Sequence, residues 1–380
     1  MDTIQKVETL GHSAQYDLCG GACGSEAGRV RDDLGRWIYP AVLPDGKRVS
    51  LLKVLLSNAC RNDCYYCANR ASRDFRRVGF TPEELARAFD QMQRKGLVQG
   101  LFLSSGVGGD ASRTMDCMIA TVELVRRKYA FSGYVHLKLL PGASYAHVER
   151  AVQLATRVSL NLEAPNPERL ARIAPSKDFA ENLLQPMYWA KEIIGNSDRR
   201  LAPAGQTTQF VVGAADESDR EILSITAQLY QEIGLARAYF SAFQPIVDTP
   251  LEGHLPTPLL REHRLYQSDF LLRKYNFAFG DLIFDEEGNL PSEADPKFMW
   301  ALHHPERFPV EVNRASKEEL LRVPGIGPRS ATRIVRLRRR GTFRTLADLK
   351  KIGVVAKRAA PFILLAGRRA PYQLGFWKGI

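Results

Sequence analysis

Between residues 50 and 275, short apolar runs alternate with longer segments of helical periodicity. The runs LLKVLLS (51–57) and TTQFVVG (207–213) have the length and β-branched content of buried strands. The segments between such runs are amphipathic. One opens with Thr81-Pro82-Glu83-Glu84, which combines an N-cap threonine, a proline in the first turn and a capping-box glutamate. Six such strand–helix repeats predict a parallel sheet with right-handed crossovers.

This periodicity is consistent with two architectures. Six repeats can form an open, doubly wound sheet or a curved and incomplete barrel, and the pattern of apolar positions does not choose between them. In both architectures ligands bind at the C-terminal ends of the strands. Candidate chemistry is therefore expected in the loops that follow the strands.

The pattern changes after residue 275. The segment that follows is mixed and rich in Pro, Asp and Phe, and it predicts a linker that packs on the barrel. From residue 314 onward the pattern is helical and basic, with VPGIGP as a sharp break. The predicted organisation is an N-terminal extension (1–44), a barrel (45–275), a linker (276–313), a small all-α domain (314–372) and a tail (373–380).

Charge is concentrated in one part of the chain. The 53 Lys and Arg exceed the 42 Asp and Glu, for a net charge of +11. Residues 314–372 contain sixteen basic and three acidic residues, a surplus of +13, so the remainder is close to −2. A localised surplus of this kind predicts a dedicated polyanion-binding module.

The chain otherwise has the composition of an ordinary globular protein, with 45% hydrophobic residues. No stretch approaches the ~18 uninterrupted apolar residues of a membrane span, and the first residues lack a secretory pattern. We therefore expect a cytoplasmic protein without membrane partners. Six cysteines are too few for a disulfide scaffold, so clustered cysteines indicate metal or redox chemistry.

Three of these cysteines lie directly after the first predicted strand. The segment CRNDCYYC places Cys60, Cys64 and Cys67 in a C-x3-C-x2-C spacing. A structural zinc site needs a fourth ligand, which does not follow at a suitable spacing, whereas three thiolates leave one iron of a [4Fe–4S] cluster open. The alternatives are a zinc loop completed by Cys19 or Cys23, or plain buried cysteines.

The remaining cysteines are less informative. Cys19 and Cys23, in CGGAC, are consistent with a second metal site, with a position near the substrate, or with no site at all. Cys117 falls on an amphipathic helix and is expected in the core.

The cysteine motif within a sixfold β/α repeat resembles the radical S-adenosylmethionine (SAM) enzymes over about residues 45–275. The resemblance implies a partial (β/α)6 barrel of the TIM type and a [4Fe–4S] cluster whose open iron is chelated by the amine and carboxylate of SAM. Reduction of the cluster would cleave SAM to methionine and a 5′-deoxyadenosyl radical that abstracts a substrate hydrogen. It also implies an electron donor such as flavodoxin or ferredoxin.

The same resemblance implies residues that contact SAM. The aromatic Tyr66 would lie near the adenine, and the turn LSSGVGGD, which departs from the usual Gly-Gly-Glu, would hold the methionine amine. Polar residues at the ends of later strands complete the set, with satisfied core polar groups as the alternative reading. Lys177, in the APSKD loop, is expected to be solvated, with contact to a carboxylate as the alternative. The candidate SAM contacts are Tyr66, Ser104, Ser105, Gly106, Lys138, Asn161, Glu163, Gly213 and Phe243.

The basic C-terminal segment contains the signals of two helices joined by a glycine-containing hairpin. Ser316 and Glu319 have capping-box spacing, and the glycines of VPGIGP allow close backbone approach before a helix start suited to a phosphate. The segment resembles a tandem helix-hairpin-helix DNA-binding module. In the second hairpin, KIGVVAKRAA, Val354-Val355 replaces the usual Ile-Gly, which predicts a structural role. The implied DNA-backbone contacts are Gly325, Ile326, Gly327, Arg329, Ser330 and Arg333.

Together the two segments resemble the family of DNA modification/repair radical SAM proteins. Members are often found beside a uracil-DNA-glycosylase-like protein, which is therefore an expected partner. We expect SAM-dependent radical chemistry on a nucleotide in DNA, for modification or repair. The alternatives are the same chemistry on RNA, a DNA-binding iron–sulfur redox sensor without turnover, and a hairpin module that binds protein or RNA.

Overall fold

The computed structural model describes residues 2–14, 38–42, 48–197 and 200–369. The chain divides into two compact units, Met1–Glu262 and His263–Ile380. Cys19 and Cys23 lie outside the described residues.

A sheet forms the centre of the first unit. Among the described residues it has seven strands, which pair in the order in which they occur in the chain. The first pair is antiparallel, and every later pair is parallel. The strands are β1 (Ile38–Val42), β2 (Arg48–Leu55), β3 (Gly100–Ser104), β4 (Tyr134–Lys138), β5 (Arg157–Ser159), β6 (Gln206–Val212) and β7 (Arg237–Ala242).

The strand order decides between the two architectures. A doubly wound sheet reverses its strand order at a switch point, whereas strands β2 to β7 advance in one direction throughout. Right-handed crossovers that always advance in the same direction place their helices on the same face of the sheet. The other face then curls inward, which confirms the predicted partial (β/α)6 barrel.

Helices connect and cover the strands of this unit. The N-cap of the helix after β2 is as predicted, because Thr81 Oγ1 accepts a hydrogen bond from the Glu84 amide and Glu84 Oε2 accepts one from the Thr81 amide. No helix in the described ranges is long and apolar enough to cross a membrane. The helices are α1 (Thr3–Ser13), α2 (Pro82–Arg94), α3 (Ala111–Glu123), α4 (Tyr145–Leu154), α5 (Pro167–Ile173), α6 (Gln185–Gly195), α7 (Asp219–Glu232) and α8 (Leu259–Lys274), which runs into the second unit.

The second unit is mainly helical, as predicted, and begins within α8. Its elements also include a three-stranded sheet that the sequence pattern did not predict. In this sheet Val310–Glu311 (β8) pairs in parallel with Ile363–Leu365 (β9), and β9 pairs in antiparallel orientation with Arg368–Arg369 (β10). Its further elements are α9 (Pro296–His303), β8 (Val310–Glu311), α10 (Lys317–Arg322), α11 (Pro328–Leu337), α12 (Leu346–Lys351), α13 (Ala356–Ala359), β9 (Ile363–Leu365) and β10 (Arg368–Arg369).

Residues 276–313, for which a linker is predicted, contain α9 and part of an aromatic cluster. Trp300 stacks on His304, with ring centres 4.4 Å apart, and contacts Phe308 edge-on. The ring centre of Phe308 in turn lies 5.0 Å from that of Phe362, near the C-terminal end of the unit. These contacts join the segment to the helical residues that follow it within the second unit.

Candidate functional site

The cysteine loop begins at the C-terminal end of β2 and is closed at its base. The backbone amide of Asn58 donates to the Val78 carbonyl (3.1 Å), and the backbone amide of Val78 donates to the side-chain oxygen Oδ1 of Asn58 (2.7 Å). Ser57 and Gly79 form a further antiparallel bridge just outside this pair. The three cysteines therefore lie within a loop whose two ends are tied together at the edge of the sheet where ligands are expected.

Hydrogen bonds also shape the inside of this loop. Asp63 accepts two hydrogen bonds from the Arg70 guanidinium and one from the Ser72 hydroxyl (2.8 Å). The Arg70 contact holds the pKa of Asp63 well below its usual range. The Cys67 amide donates to the Cys64 carbonyl (3.1 Å), so the last two cysteines belong to one turn.

The thiols themselves are shielded from solvent. Cys64 is buried, and Cys60 and Cys67 are half-buried. Burial raises the pKa of the Cys64 thiol and raises that of Cys67 to about 12, so both thiols are protonated until a metal displaces the protons. A positive charge on Lys177 opposes this rise at both cysteines.

The donor set fits an iron–sulfur cluster, whose ligands are cysteine thiolates. In the described ranges no group of three or more His, Cys, Asp or Glu side chains converges as the ligands of one metal ion do. Each thiolate of a [4Fe–4S] cube binds a different iron, so its ligands surround a larger object and need not converge on a point. Three buried or half-buried thiols on one closed loop, beside the buried amine of Lys177, suit that arrangement.

A buried ion pair lies beside the cysteines. Lys177 Nζ is 3.3 Å from Glu163 Oε1 and 3.4 Å from the Tyr66 hydroxyl, and the Lys177 and Glu163 side chains are only 7% and 9% exposed. Burial disfavours the charged form of Lys177, but Cys64 and Glu163 outweigh it and raise the lysine pKa. The expectation of a solvated Lys177 is wrong, because the chain after β5 folds back over the cysteine loop and covers the amine.

Glu163 is held in place by its backbone. Its φ of 66° lies in the left-handed region, which is costly for a residue other than glycine. The Glu163 amide donates to the Gln209 carbonyl (3.0 Å), and its carbonyl accepts from the Val211 amide (2.8 Å). Strand β6 therefore fixes both sides of this residue, and the carboxylate is positioned toward Lys177.

The predicted SAM contacts lie at or after the C-terminal ends of six strands, β2 to β7. Tyr66 and Glu163 are brought together beside Lys177, while Lys138 ends β4 and Asn161 follows β5. Gly213 follows β6 with a φ of 86°, and its amide donates to the Glu217 carboxylate. Phe243 follows β7, and its buried side chain packs edge-on to His254.

The turn after β3 supports the cysteine loop. The Gly106 amide donates to the Ser57 carbonyl (2.7 Å), and the Ser105 hydroxyl donates to the same carbonyl (3.3 Å). The Ser104 carbonyl accepts from the Leu56 amide (2.8 Å). A Cβ at Gly106 would lie 2.5 Å from the Ala59 carbonyl oxygen, so glycine permits the loop to pack directly on this turn.

The two hairpins of the second unit pack against each other. Gly325 has a φ of 84°, and its carbonyl accepts from the Val355 amide of the second hairpin (2.9 Å). A Cβ at Gly325 would lie 2.6 Å from the Val355 carbonyl oxygen. The buried Ser330 hydroxyl donates to the Gly353 carbonyl (2.8 Å). Gly325 and Ser330 therefore pack the first hairpin closely against the second hairpin.

The remaining predicted DNA contacts differ in exposure. Ile326 is buried, and Gly327 forms the N-cap of α11 without a side-chain capping bond. Arg329 and Arg333 are exposed, although Arg333 also donates to the Ile352 carbonyl (3.1 Å). The N-terminus of α11 and the exposed arginines of its first turns stay the predicted phosphate contacts of this hairpin.

A buried lysine braces the first hairpin, and no sequence signal identified it. Lys297 Nζ donates to the Ile326 carbonyl (2.6 Å) and lies 4.7 Å from the centre of the Tyr275 ring. Burial lowers the pKa of Lys297 to about 7; Asp295 favours its charged form, and Arg358 and Arg322 oppose it.

We expect Gly106→Ala to destabilise the cysteine loop, because the added methyl group overlaps the Ala59 carbonyl. Overpacking of this kind costs about 1–3 kcal/mol. The variant should unfold at lower denaturant concentration and retain less iron and sulfide after anaerobic reconstitution. Gly108→Ala is the matched control, since a Cβ there would come no closer than 3.9 Å to any other group. Equal iron content and stability in both variants would contradict the proposed packing.

The pKa of Lys297 predicts a pH-dependent stability. Since the folded pKa of about 7 lies below the ordinary 10.5, the unfolded chain binds more protons between these values. The free energy of unfolding should therefore rise with pH from about 7 toward 10, by about 1.4 kcal/mol per unit at most. Lys297→Met should flatten this rise in urea titrations, whereas Lys317→Met, at an exposed position, should keep it. An unchanged pH dependence in Lys297→Met would refute the assignment.

Solved structures that match part of the chain include HydG, a maturase of the [FeFe]-hydrogenase, methylornithine synthase (PylB), and the radical SAM methyltransferase TsrM from Kitasatospora setae. HydG and PylB are each 15% identical over 57% of this chain, with TM-scores of 0.46, and the matches cover 48% and 60% of those chains. TsrM is 12% identical over 75% of this chain and 54% of its own, with a TM-score of 0.42. The chain thus spans about half to three fifths of the structures it matches.

Two family models also match the sequence, whereas no curated protein does. The model of the radical SAM superfamily matches residues 54–227, which include the cysteine loop, and the model of the helix-hairpin-helix motif matches residues 307–360. The radical SAM superfamily uses a [4Fe–4S] cluster and SAM. The chain therefore combines a radical SAM domain with a helix-hairpin-helix motif on its C-terminal side.

Proposed function

We propose that this protein is a radical SAM enzyme that modifies or repairs a nucleotide in DNA. The observation that carries the proposal is the presence, in one chain, of a closed three-cysteine loop at the strand ends and a basic pair of packed hairpins. The first supports radical chemistry, and the second supports a polyanionic substrate.

In this proposal Cys60, Cys64 and Cys67 hold the cluster. When bound, the cluster and SAM supply a strong one-electron reductant and a source of a hydrogen-abstracting radical. The thiols lose their protons on binding, and the charged Lys177 offsets part of the negative charge that then accumulates beside Cys64 and Cys67. An electron donor such as flavodoxin or ferredoxin would deliver the electron.

The same buried group supports a site for SAM. The carboxylate of Glu163, the amine of Lys177 and the hydroxyl of Tyr66 lie together at the strand ends, where a barrel binds its ligand. An acid and a base in one place suit a zwitterionic amino-acid group, and Tyr66 offers an aromatic face. Lys138, Asn161, Gly213 and Phe243 remain candidate contacts at neighbouring strand ends.

The hairpin pair would bind the DNA backbone without reading sequence. Gly327 and the first turn of α11 present amide groups, and Arg329, Arg333 and Arg336 present exposed cations. A nucleotide in a duplex would have to be turned out of the helix to reach the barrel mouth. A uracil-DNA-glycosylase-like partner remains a prediction from the family resemblance.

The cluster assignment predicts about four iron and four sulfide per chain after anaerobic reconstitution. Replacing Cys60, Cys64 or Cys67 with Ala should lower this content and abolish formation of 5′-deoxyadenosine, because one ligand of the cube is lost. Cys117→Ala should retain both. Zinc without sulfide would contradict the assignment. An intact, reducible cluster with no 5′-deoxyadenosine would favour the redox sensor.

The nucleic-acid assignment predicts salt-sensitive binding of duplex DNA with little dependence on sequence. Each phosphate contact contributes about −0.9 to the slope of log K against log salt. Arg329→Gln should weaken binding of all duplexes alike and make the slope shallower by about 0.9. Arg307→Gln, which removes a charge 71% exposed in the same unit, should leave the slope unchanged. Tighter binding of RNA than of DNA would favour the alternative substrate.

A further inference from the structure

One arginine contacts the cysteine loop on both sides of its cysteines. Arg77 Nη1 donates to the carbonyl of Asn58 (2.8 Å), which precedes Cys60, and to the carbonyl of Asn69 (2.8 Å), which follows Cys67. A single guanidinium therefore ties together the two flanks of the three-cysteine segment.

The other nitrogen of this guanidinium extends the contact. Arg77 Nη2 lies within hydrogen-bond distance of the carbonyls of Arg70, Ala71 (3.3 Å) and Arg73 (2.9 Å). Five backbone carbonyls of the loop thus face one side chain. The Cζ atom of Arg77 lies 3.8 Å from the centre of the Phe75 ring. Only a planar fork with several N–H groups satisfies acceptors in this arrangement, so lysine is not equivalent here.

The positive charge of Arg77 lies beside the cysteine segment, because Nη1 contacts the carbonyls two residues before Cys60 and two residues after Cys67. Cys60 and Cys67 both favour the charged form of this arginine, although burial lowers its pKa. Reduction of a bound cluster adds one negative charge to the loop. A fixed positive charge nearby stabilises the reduced form more than the oxidised form, and it therefore raises the reduction potential.

We propose that Arg77 is a positioning residue that holds the cysteine loop in its cluster-binding shape and raises the reduction potential of the cluster. The inference rests on the proposed function, since it concerns the same cysteine site. Two substitutions distinguish the positioning role of Arg77 from its effect on the reduction potential. Arg77→Lys keeps the charge and loses the planar fork, whereas Arg77→Met loses both.

The experiment compares the full-length wild-type protein with Arg77→Lys, Arg77→Met and the control Arg76→Met after anaerobic reconstitution. Arg76 is the exposed neighbour in the same loop, so its removal changes the net charge equally but the solvent screens its effect. Two quantities are measured in the absence of SAM. The first is the rate at which iron is lost to a chelator, and the second is the midpoint potential in a reductive titration followed by electron paramagnetic resonance.

We expect Arg77→Lys to lose iron several-fold faster than the wild type while keeping its midpoint potential. Arg77→Met should lose iron at least as fast and show a more negative potential, and Arg76→Met should match the wild type in both. A wild-type rate of iron loss in Arg77→Lys overturns the positioning role. A wild-type potential in Arg77→Met, or an equal shift in Arg76→Met, overturns the electrostatic role.

These outcomes are distinct from failure of the proposed function. If the wild-type protein itself takes up no iron and sulfide, the cluster assignment fails and the role of Arg77 fails with it. If Arg77→Met does not fold, the rate of iron loss from Arg77→Lys still decides the positioning role. The midpoint potential of Arg77→Gln, which removes the charge but keeps an amide donor, then decides the electrostatic role, and a wild-type potential in that variant overturns it.

Discussion

The unbroken order of parallel strands is the constraint on which the first unit depends. Because strands β2 to β7 advance in one direction, their C-terminal ends lie along the same edge of the sheet, and each following loop starts there. The cysteine loop after β2, the turn after β3 and the segment after β5 are far apart in sequence but meet at this edge. Contacts such as Gly106 with Ala59 and Lys177 with Tyr66 exist only because of that order.

Burial of charge at this edge needs compensation from every side. Lys177 and Glu163 are almost fully shielded, and an isolated charge in such a place would be costly. The charges of Lys177 and Glu163 offset each other. Once the nearby cysteines lose their protons, their negative charge further stabilises a cation at this position. Arg77 plays a comparable part for the loop backbone, where its guanidinium donates to the carbonyls of Asn58 and Asn69. The site is therefore organised around two cations, one beside the thiols and one that orders the backbone of the cysteine loop.

In the second unit, a short basic segment has to be kept folded. Its helices are short and would be marginal alone, so their stability has to come from packing. Gly325 and Ser330 join the first hairpin to the second, and Lys297 donates a hydrogen bond to the Ile326 carbonyl of the first hairpin. Arg329 and Arg336 of α11 remain exposed beside these contacts, as the proposed binding of a polyanion requires.

Local signals in the sequence determined much of this protein. The capping boxes at Thr81 and Ser316, the spacing of the cysteines and the charge surplus after residue 314 all act over a few residues, so the chain alone specifies them. Only the tertiary structure decided that the sheet curls, that Lys177 and Lys297 are buried, and that Gly106 and Gly325 serve chain packing. Each of these depends on which distant segment lies opposite, and neither periodicity nor spacing carries that information.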